Sequence, residues 1–484
     1  MKFFRSLGVV LGLASALASG SARAVEPGEA DGGTGASDEG FGEYAPAPVA
    51  TIKPRSFTLA ECLALAERNH PGVWAARARL AYVHGQLDEA TFTPWFQWNA
   101  TSNFGLLPPI SGSVYFTASS QESRNISAFE GLRPVLTFDI NGLVPLYTFG
   151  KITAARNAAR ANVRVTEWDM EKVRQVTRMD VRRAYFGLLM ARDARFVIDD
   201  ALSRLDKALQ GIRDKLAKED KSVTSIDRLR LETFREEVVA RSGEPRRGES
   251  FALAALRFMT GIQTAFDVPD EPLKRPNRPL VGVTQYLTSA RLFRPEIAMA
   301  RAGIVARREM LDYTRARFFP DFGLGLGASY AIAPSATPQI TAWTGDPFNH
   351  FYYYFGFGFR WSLDLLPNAA RVSQAEAQLE ETRALERLAL GGIMVEVENA
   401  HASAVEAKVR EEAWDRAERK AREWIATVQD MIDLGTRDEG ALLEPLRSYG
   451  NSRVAHLFAL MELNVAMSEL ARVSGWDASA PTGE

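Results

Sequence analysis

Cysteine is almost missing from this 484-residue chain: Cys62 stands alone, so no disulfide can form within one copy. Histidine is nearly as scarce. His70, His84, His350, His401 and His456 are scattered, and none falls in an H-E-x-x-H, C-x-x-C or G-x-S-x-G setting. The sequence therefore offers no catalytic residue, no cofactor site and no metal site, and it does not read as an enzyme. His350, beside the loop from Pro334 to Asn349, reads as an exposed loop histidine and not as a ligand. Gly323-x-Gly325-x-Gly327 has the outline of a phosphate loop, but its alternation with Leu324 and Leu326 puts it on a strand, and it precedes no helix. Beyond the first residues no apolar run is long enough for a membrane helix, so insertion into a bilayer would have to be as a β-barrel. An excess of basic residues is lacking too: 58 basic against 60 acidic residues excludes nucleic acid as a partner.

What is present begins with Lys2, Arg5, an apolar stretch from Leu7 to Leu17 and Ser21-Ala22-Arg23-Ala24, the charged, apolar and A-x-A order of a secretory signal over 1–24. Cleavage after Ala24 would remove Lys2, Arg5 and Arg23 and no acidic residue, taking the net charge from −2 to −5. No cysteine stands at that point to receive a lipid. Residues 25–56 are rich in Gly, Pro, Ala and acids, a composition that cannot bury a core, and are expected to be a disordered leader. A Pro-rich segment over 268–279 separates a first repeat, 57–267, from a second, 280–476, and 477–484 form a tail.

The two repeats are visible as a duplication. Leu63, Ala66, Pro71, Val73, Ala76, Arg77 and Ala78 return in register as Leu287, Ala290, Pro295, Ile297, Ala300, Arg301 and Ala302. Each half reads helix, strand, loop, strand, very long helix, tight turn, returning helix. Thr58-x-x-Glu61 makes a capping box for the first helix, and Pro71 interrupts it. Lys151 to Ala217 contains no proline, and Ala194, Ile198, Leu202, Leu205, Leu209, Ile212 and Leu216 recur at coiled-coil spacing. Asn368 to Leu434 is an equally long stretch without proline. The segment Gly243–Gly248 is expected to interrupt the first returning helix.

Four segments alternate strictly. In the first, Phe96, Trp98, Ala100 and Phe104 oppose Gln97, Asn99, Thr101 and Asn103; in the second, Leu136, Phe138, Ile140, Val144 and Leu146 oppose Thr137, Asp139 and Asn141. The third sets Phe322, Leu324, Leu326, Ala328, Tyr330 and Ile332 against glycines and Ser329. The fourth sets Tyr353, Phe355, Phe357, Phe359 and Trp361 against Tyr352, Tyr354, Gly356, Gly358 and Arg360. A soluble sandwich gives the same alternation, but four strands cannot close a barrel around water, so several chains would have to share one. On this reading Trp98, Phe104, Phe138, Phe322, Leu326, Phe357 and Trp361 face lipid, and Asn99, Thr101, Asp139, Asn141 and Arg360 face a lumen.

The whole resembles the TolC-type outer-membrane efflux family. The resemblance is carried by Leu59-x-x-Cys62-Leu63-x-x-Ala66 with Asn69-His70-Pro71 and Ala76-Arg77, by Pro145 to Gly150, by Arg183 to Leu189, and by Leu434-Gly435-Thr436-Arg437. It implies an α+β membrane protein: a homotrimer whose three sets of four strands form one 12-stranded barrel, continued by a coiled-coil helical tunnel in the periplasm of a Gram-negative bacterium. It implies a passive exit duct of a tripartite efflux or type I secretion system. The duct would be opened at its tip by a periplasmic adaptor (membrane fusion) protein and an inner-membrane pump of RND or ABC type; a periplasmic coiled-coil scaffold is the alternative. Leu434, Gly435, Thr436, Leu216 and Ala217 would meet the adaptor. Arg437 and Glu444 would form the constriction, where three copies of Glu444 repel one another and favour a cation. The first tip has Ala217 where the family usually has glycine.

Overall fold

The computed structural model describes residues 55–95, 97–108, 131–218, 223–263, 266–334, 336, 345–437 and 439–476. The expected signal, most of the leader, Phe96, residues 219–222 of the first tip and the C-terminal tail lie outside the described residues.

Thr58 opens α1 (Leu59–Asn69) with the expected capping box: its amide donates to Glu61 Oε2 at 2.9 Å and its hydroxyl accepts from the Glu61 amide at 3.4 Å. Two backbone donors that no helical carbonyl can reach are thereby satisfied. Pro71 ends this helix only by starting the next. It is the first residue of α2 (Pro71–Phe92), where a missing N–H costs nothing, and His70 Nδ1 caps the Gly72 amide at 3.2 Å. Strands β2 (Gln97–Leu107) and β3 (Arg133–Tyr147) lead into α3 (Lys151–Ala217). The chain returns through α4 (Ser225–Arg241) and α5 (Gly243–Thr260). The second half repeats this plan with α6 (Val283–Phe293), α7 (Pro295–Ala316), β5 (Asp321–Ile332), β6 (His350–Arg360), α8 (Leu365–Asp433) and α9 (Leu443–Val473).

Element lengths keep the duplication: 11 residues in α1 and α6, 22 in α2 and α7, 67 in α3 and 69 in α8. At 1.5 Å per residue each rod spans roughly 100 Å. The cores repeat as well. Cys62, Leu63 and Ala66 of α1 meet Tyr185 and Leu188 of α3 and Leu256 of α5, whereas Tyr286 and Ala290 of α6 meet Val397 and Ala400 of α8 and Leu470 of α9. The seam Ala194, Leu205, Leu209 and Ile212 is buried.

Four expectations are corrected. Arg55–Ser56, placed in the leader, is a short strand β1 that pairs in parallel with β4 (Phe266–Asp267), because Phe57 stacks on Phe266 with ring centroids 5.2 Å apart and both rings are buried. Leu146 sits at a bulge: the register shifts between Pro145 and Tyr147, so Tyr147, not Leu146, continues the apolar face opposite Phe322. Trp361 lies one residue beyond β6, its indole donating to the Phe318 carbonyl at 3.0 Å. The Gly243–Gly248 segment is itself helical, and the returning helix breaks only at Ser242; Pro245 falls in the first turn of α5, where its missing donor is not needed.

Candidate functional site

The sheet runs β2-β3-β5-β6, every neighbour antiparallel. Directly paired residues share a face, so the register tests whether four separate alternations make one surface. They do. Phe104 pairs with Leu136 and Leu136 with Ile332; Trp98 pairs with Gly142 and Gly142 with Leu326, which pairs with Phe355. Phe322 pairs with Phe359 and Leu324 with Phe357. The polar parity is equally continuous: Thr101, Asp139, Ser329 and Tyr352 form one row, and Asn99, Asn141, Gly327 and Tyr354 the next.

Among the described residues no helix packs across either face of this sheet. Phe104, Tyr353 and Phe357 are 75%, 75% and 79% exposed, and the apolar face crosses all four strands. A sandwich core would have had a second layer against it. Two glycines shape the surface. A Cβ at Gly142 would fall 2.5 Å from the Trp98 ring, and one at Gly327 would fall 2.4 Å from the Tyr354 ring, so each aromatic lies flat over its cross-strand glycine.

On the polar face Ser329 Oγ donates to Asp139 Oδ1 at 2.6 Å and lies 3.0 Å from His350 Nε2, while His350 Nδ1 reaches the Asp346 carbonyl at 2.9 Å. His350 is thus the first residue of β6, half-buried and bonded through both nitrogens, and not an exposed loop histidine. The three residue types are those of a nucleophilic triad, but the carboxylate bonds the serine and not the imidazole, and the single hydroxyl proton goes to Asp139 and not to His350. Asn99, Thr101 and Asn141 are exposed on this face; Arg360 stands opposite Asp321, whose carboxylate is taken by Lys151 Nζ at 2.7 Å.

The passage from β3 to α3 turns through Phe149 and Gly150, with φ of +51° and +86°. A left-handed phenylalanine is unusual. Its ring is held against Phe319 at 4.9 Å and edge-on to Tyr147 at 4.7 Å, and Lys151 Nζ donates to the Phe319 carbonyl at 2.8 Å.

At the far end of the rods, α8 closes in a Schellman turn: Gly435 N donates to Ile432 O at 2.8 Å and Thr436 N to Met431 O at 2.9 Å, with Gly435 at φ +71°. Leu434 is 78% exposed. Arg437 and Glu444 are both exposed and do not bond one another within the chain. The end of α3 lacks this turn. Lys218 follows Ala217 at φ −91°, Leu216 packs in the tip cluster and Ala217 is exposed. Sequence reading missed what joins the two tips: Leu443 packs with Leu205, Leu209 and Val223, and Arg447 bonds Glu237 at 3.1 Å. Nothing local in the sequence relates residues so far apart.

A sheet with a bare apolar face, carried on two paired rods about 100 Å long, is the fold of the TolC-type outer-membrane channels. Residues 286–475 match the outer membrane efflux protein family. The fold is similar to a membrane protein from Pseudomonas aeruginosa (TM-score 0.69, 17% identity, 87% of this chain and 93% of that one). It is also similar to the MtrE outer membrane channel of Neisseria gonorrhoeae in its open state (TM-score 0.68, 16% identity, 86% and 88%). Protein CyaE of Bordetella pertussis is 30% identical over 148 residues; the match covers 31% of this chain and spans 28% of that protein. The resemblance read from the sequence is supported by this match in the second repeat, and the fold is similar to that of outer-membrane channels.

Proposed function

We propose that three copies of this chain close one barrel in the outer membrane and that their rods continue it as a passive exit duct. The observation that carries this is the open sheet. Strands β2 and β6 are both edges, and a lipid-exposed edge would leave its backbone N–H and C=O groups without partners. Neighbouring copies supply those partners if β6 of one pairs with β2 of the next, and each apolar face then meets lipid. A periplasmic adaptor and an inner-membrane pump would act at the ends of α3 and α8, with Leu216, Ala217, Leu434, Gly435 and Thr436 in contact and three copies of Arg437 and Glu444 around the axis.

The test begins with membranes. The protein should resist salt and alkaline washing, require detergent, and give a particle with the mass of three chains; release by salt alone, or a monomer, would refute the barrel. In planar bilayers Arg437→Ser combined with Glu444→Gln should raise the resting conductance severalfold. Unchanged conductance in the double variant would remove these two residues from the constriction.

A further inference from the structure

Between α8 and α9, His456 stands between two buried carboxylates. Its Nδ1 is 2.7 Å from Glu418 Oε2 and its Nε2 3.1 Å from Glu411 Oε1, and Glu418 and Glu411 are 4% and 1% exposed. At 1.5 Å per residue the Glu411 level lies about 33 Å from the end of α8, far from the tip. Charges surround the ring from every packed element. On α8, Arg422 bonds Glu418 at 3.0 Å and Arg419 bonds Asp415 at 2.9 Å. On α9, Arg453 donates to both Glu418 oxygens at 3.1 and 3.0 Å, and the Tyr449 hydroxyl lies 3.5 Å from Arg422. From the segment joining the repeats, Arg275 donates to Glu411 at 2.6 Å and to Asp415 at 3.0 Å. From α3, Asp193 faces Arg453; burial pushes its carboxyl up against the pull of the Leu273 amide and that arginine.

An ionised carboxylate only accepts, and a neutral imidazole carries one N–H, so a neutral ring can donate to one glutamate and must turn a lone pair toward the other. Both contacts are hydrogen bonds when the ring carries two protons, or when one carboxyl keeps its own. Burial works against the Glu418 charge, yet hydrogen bonds from His456 and Arg453 hold that carboxyl below the usual range. Arg275 lies on Glu411. The extra proton therefore belongs on the ring.

Among the described residues the first hairpin has no counterpart. Ala194 and Ala201 stand as far from Lys151 as Glu411 and Glu418 stand from Asn368. Aligning Leu256–Gly261 with Leu470–Gly475 puts Val239 and Ser242 at the places of Arg453 and His456, and Ser242 is where that returning helix breaks.

We propose that His456 is a proton-dependent clamp fastening α9 to α8, which regulates how readily the second hairpin moves; only its consequence for opening rests on the duct reading. The clamp is complete while the ring holds both protons. It loses one bond, leaving a buried carboxylate short of a donor, when the ring gives up a proton. Amide hydrogen exchange on the full-length protein in detergent, at about pH 5.5 and about pH 8 and corrected for intrinsic rates, reads this directly. Peptides over 404–421 and 449–460 should lose protection about tenfold at the higher pH, the factor carried by one charge-assisted hydrogen bond, while α2 and α7 stay unchanged. His456→Gln should abolish the step. Glu411→Gln, which can offer an N–H to the neutral ring, should shrink it and serves should the first variant fail to fold. Equal protection at both pH values in the unaltered protein, or a full step surviving in His456→Gln, would overturn the clamp. Single-channel recordings on the same samples separate the two readings: no conductance with the step intact would refute the duct and support the clamp.

Discussion

Replacing Phe357 by arginine puts the lipid-facing assignment under direct strain. Phe357 lies two residues from the midpoint of β6, with Phe355 and Phe359 on the same parity, and it is largely exposed in its own chain. A strand of 11 residues at about 3.4 Å each, tilted about 40°, rises roughly 28 Å, close to the height of an outer-membrane apolar band. Arginine near the middle of that band costs roughly 2–4 kcal/mol, and three copies in one barrel roughly 6–12 kcal/mol, comparable with the whole stability of a domain. Phe357→Arg should therefore abolish assembly, read as the fraction migrating as oligomer. Asn99→Arg, on the opposite parity, should assemble and shift ion selectivity toward anions. Single cysteines at Trp98, Phe138 and Phe357 should resist a water-soluble thiol reagent in reconstituted vesicles, while those at Asn99, Asp139 and Gly358 react. Gly358 has open space around it, whereas a side chain at Gly327 would strike Tyr354 and is a poor probe site. The native Cys62 gives little background, being fully buried with its thiol pushed up to about 12 by that burial. Equal labelling of both parities would mean that the apolar face does not contact lipid.

Gly435→Ala should destabilise the second tip by about 1 kcal/mol, because alanine disfavours the left-handed φ that the Schellman turn requires; the check is faster proteolytic nicking near residue 435. Arg447→Ala should change the melting temperature by only a few degrees, since its pair with Glu237 is half exposed, yet should raise resting conductance by uncoupling the hairpins at the tip; unchanged conductance would count against that coupling. Glu396 is opposed by burial but held below the usual carboxylate range by Arg294 and Arg472, at 2.5 and 2.8 Å. Its folded value is the lower one, so its contribution is present at neutral pH and is lost as pH falls through that value. Glu396→Gln should cost about 1–3 kcal/mol at pH 7, discounted because the carboxylate is partly exposed, and the difference should shrink in denaturant titrations near pH 3.

What the sequence disclosed followed from local periodicity. The α3 rod could be bounded from Lys151 to Ala217 because a helix shows its buried stripe every three or four residues, and the strand faces because alternation needs no partner to be seen. Pairing of β3 with β5 was within reach only through the duplication. Leu146 was misplaced because a one-residue bulge leaves the written pattern intact while reversing the face. The strands β1 and β4 have two residues each, too few for any period. Local pattern does not set Glu411 and Glu418 apart from the other charges of an amphipathic rod; only the tertiary placement of Arg275, Arg453 and His456 shows them buried. Arg437 and Glu444 show the opposite limit, since closeness in sequence brought no contact within the chain.

The two repeats share a plan but not a mechanical character. A helix carries a displacement along its length while its hydrogen-bond ladder is continuous, and loses it where the ladder breaks. In the second repeat α9 runs unbroken for 31 residues, about 46 Å, from Leu443 at the tip through the His456 cluster to Leu470 and Val473 in the core under α6. In the first repeat the returning path is divided at Ser242 into pieces of 17 and 18 residues. The hydrogen-bond ladder is therefore continuous along α9 from the tip to the root of the hairpin, but is interrupted at Ser242 between α4 and α5. The buried polar cluster lies on the continuous rod, where a change in one proton alters the grip on a lever and not on a joint. Duplication supplied two equal hairpins; the break in one and the charged clamp in the other make their responses to the same force unequal.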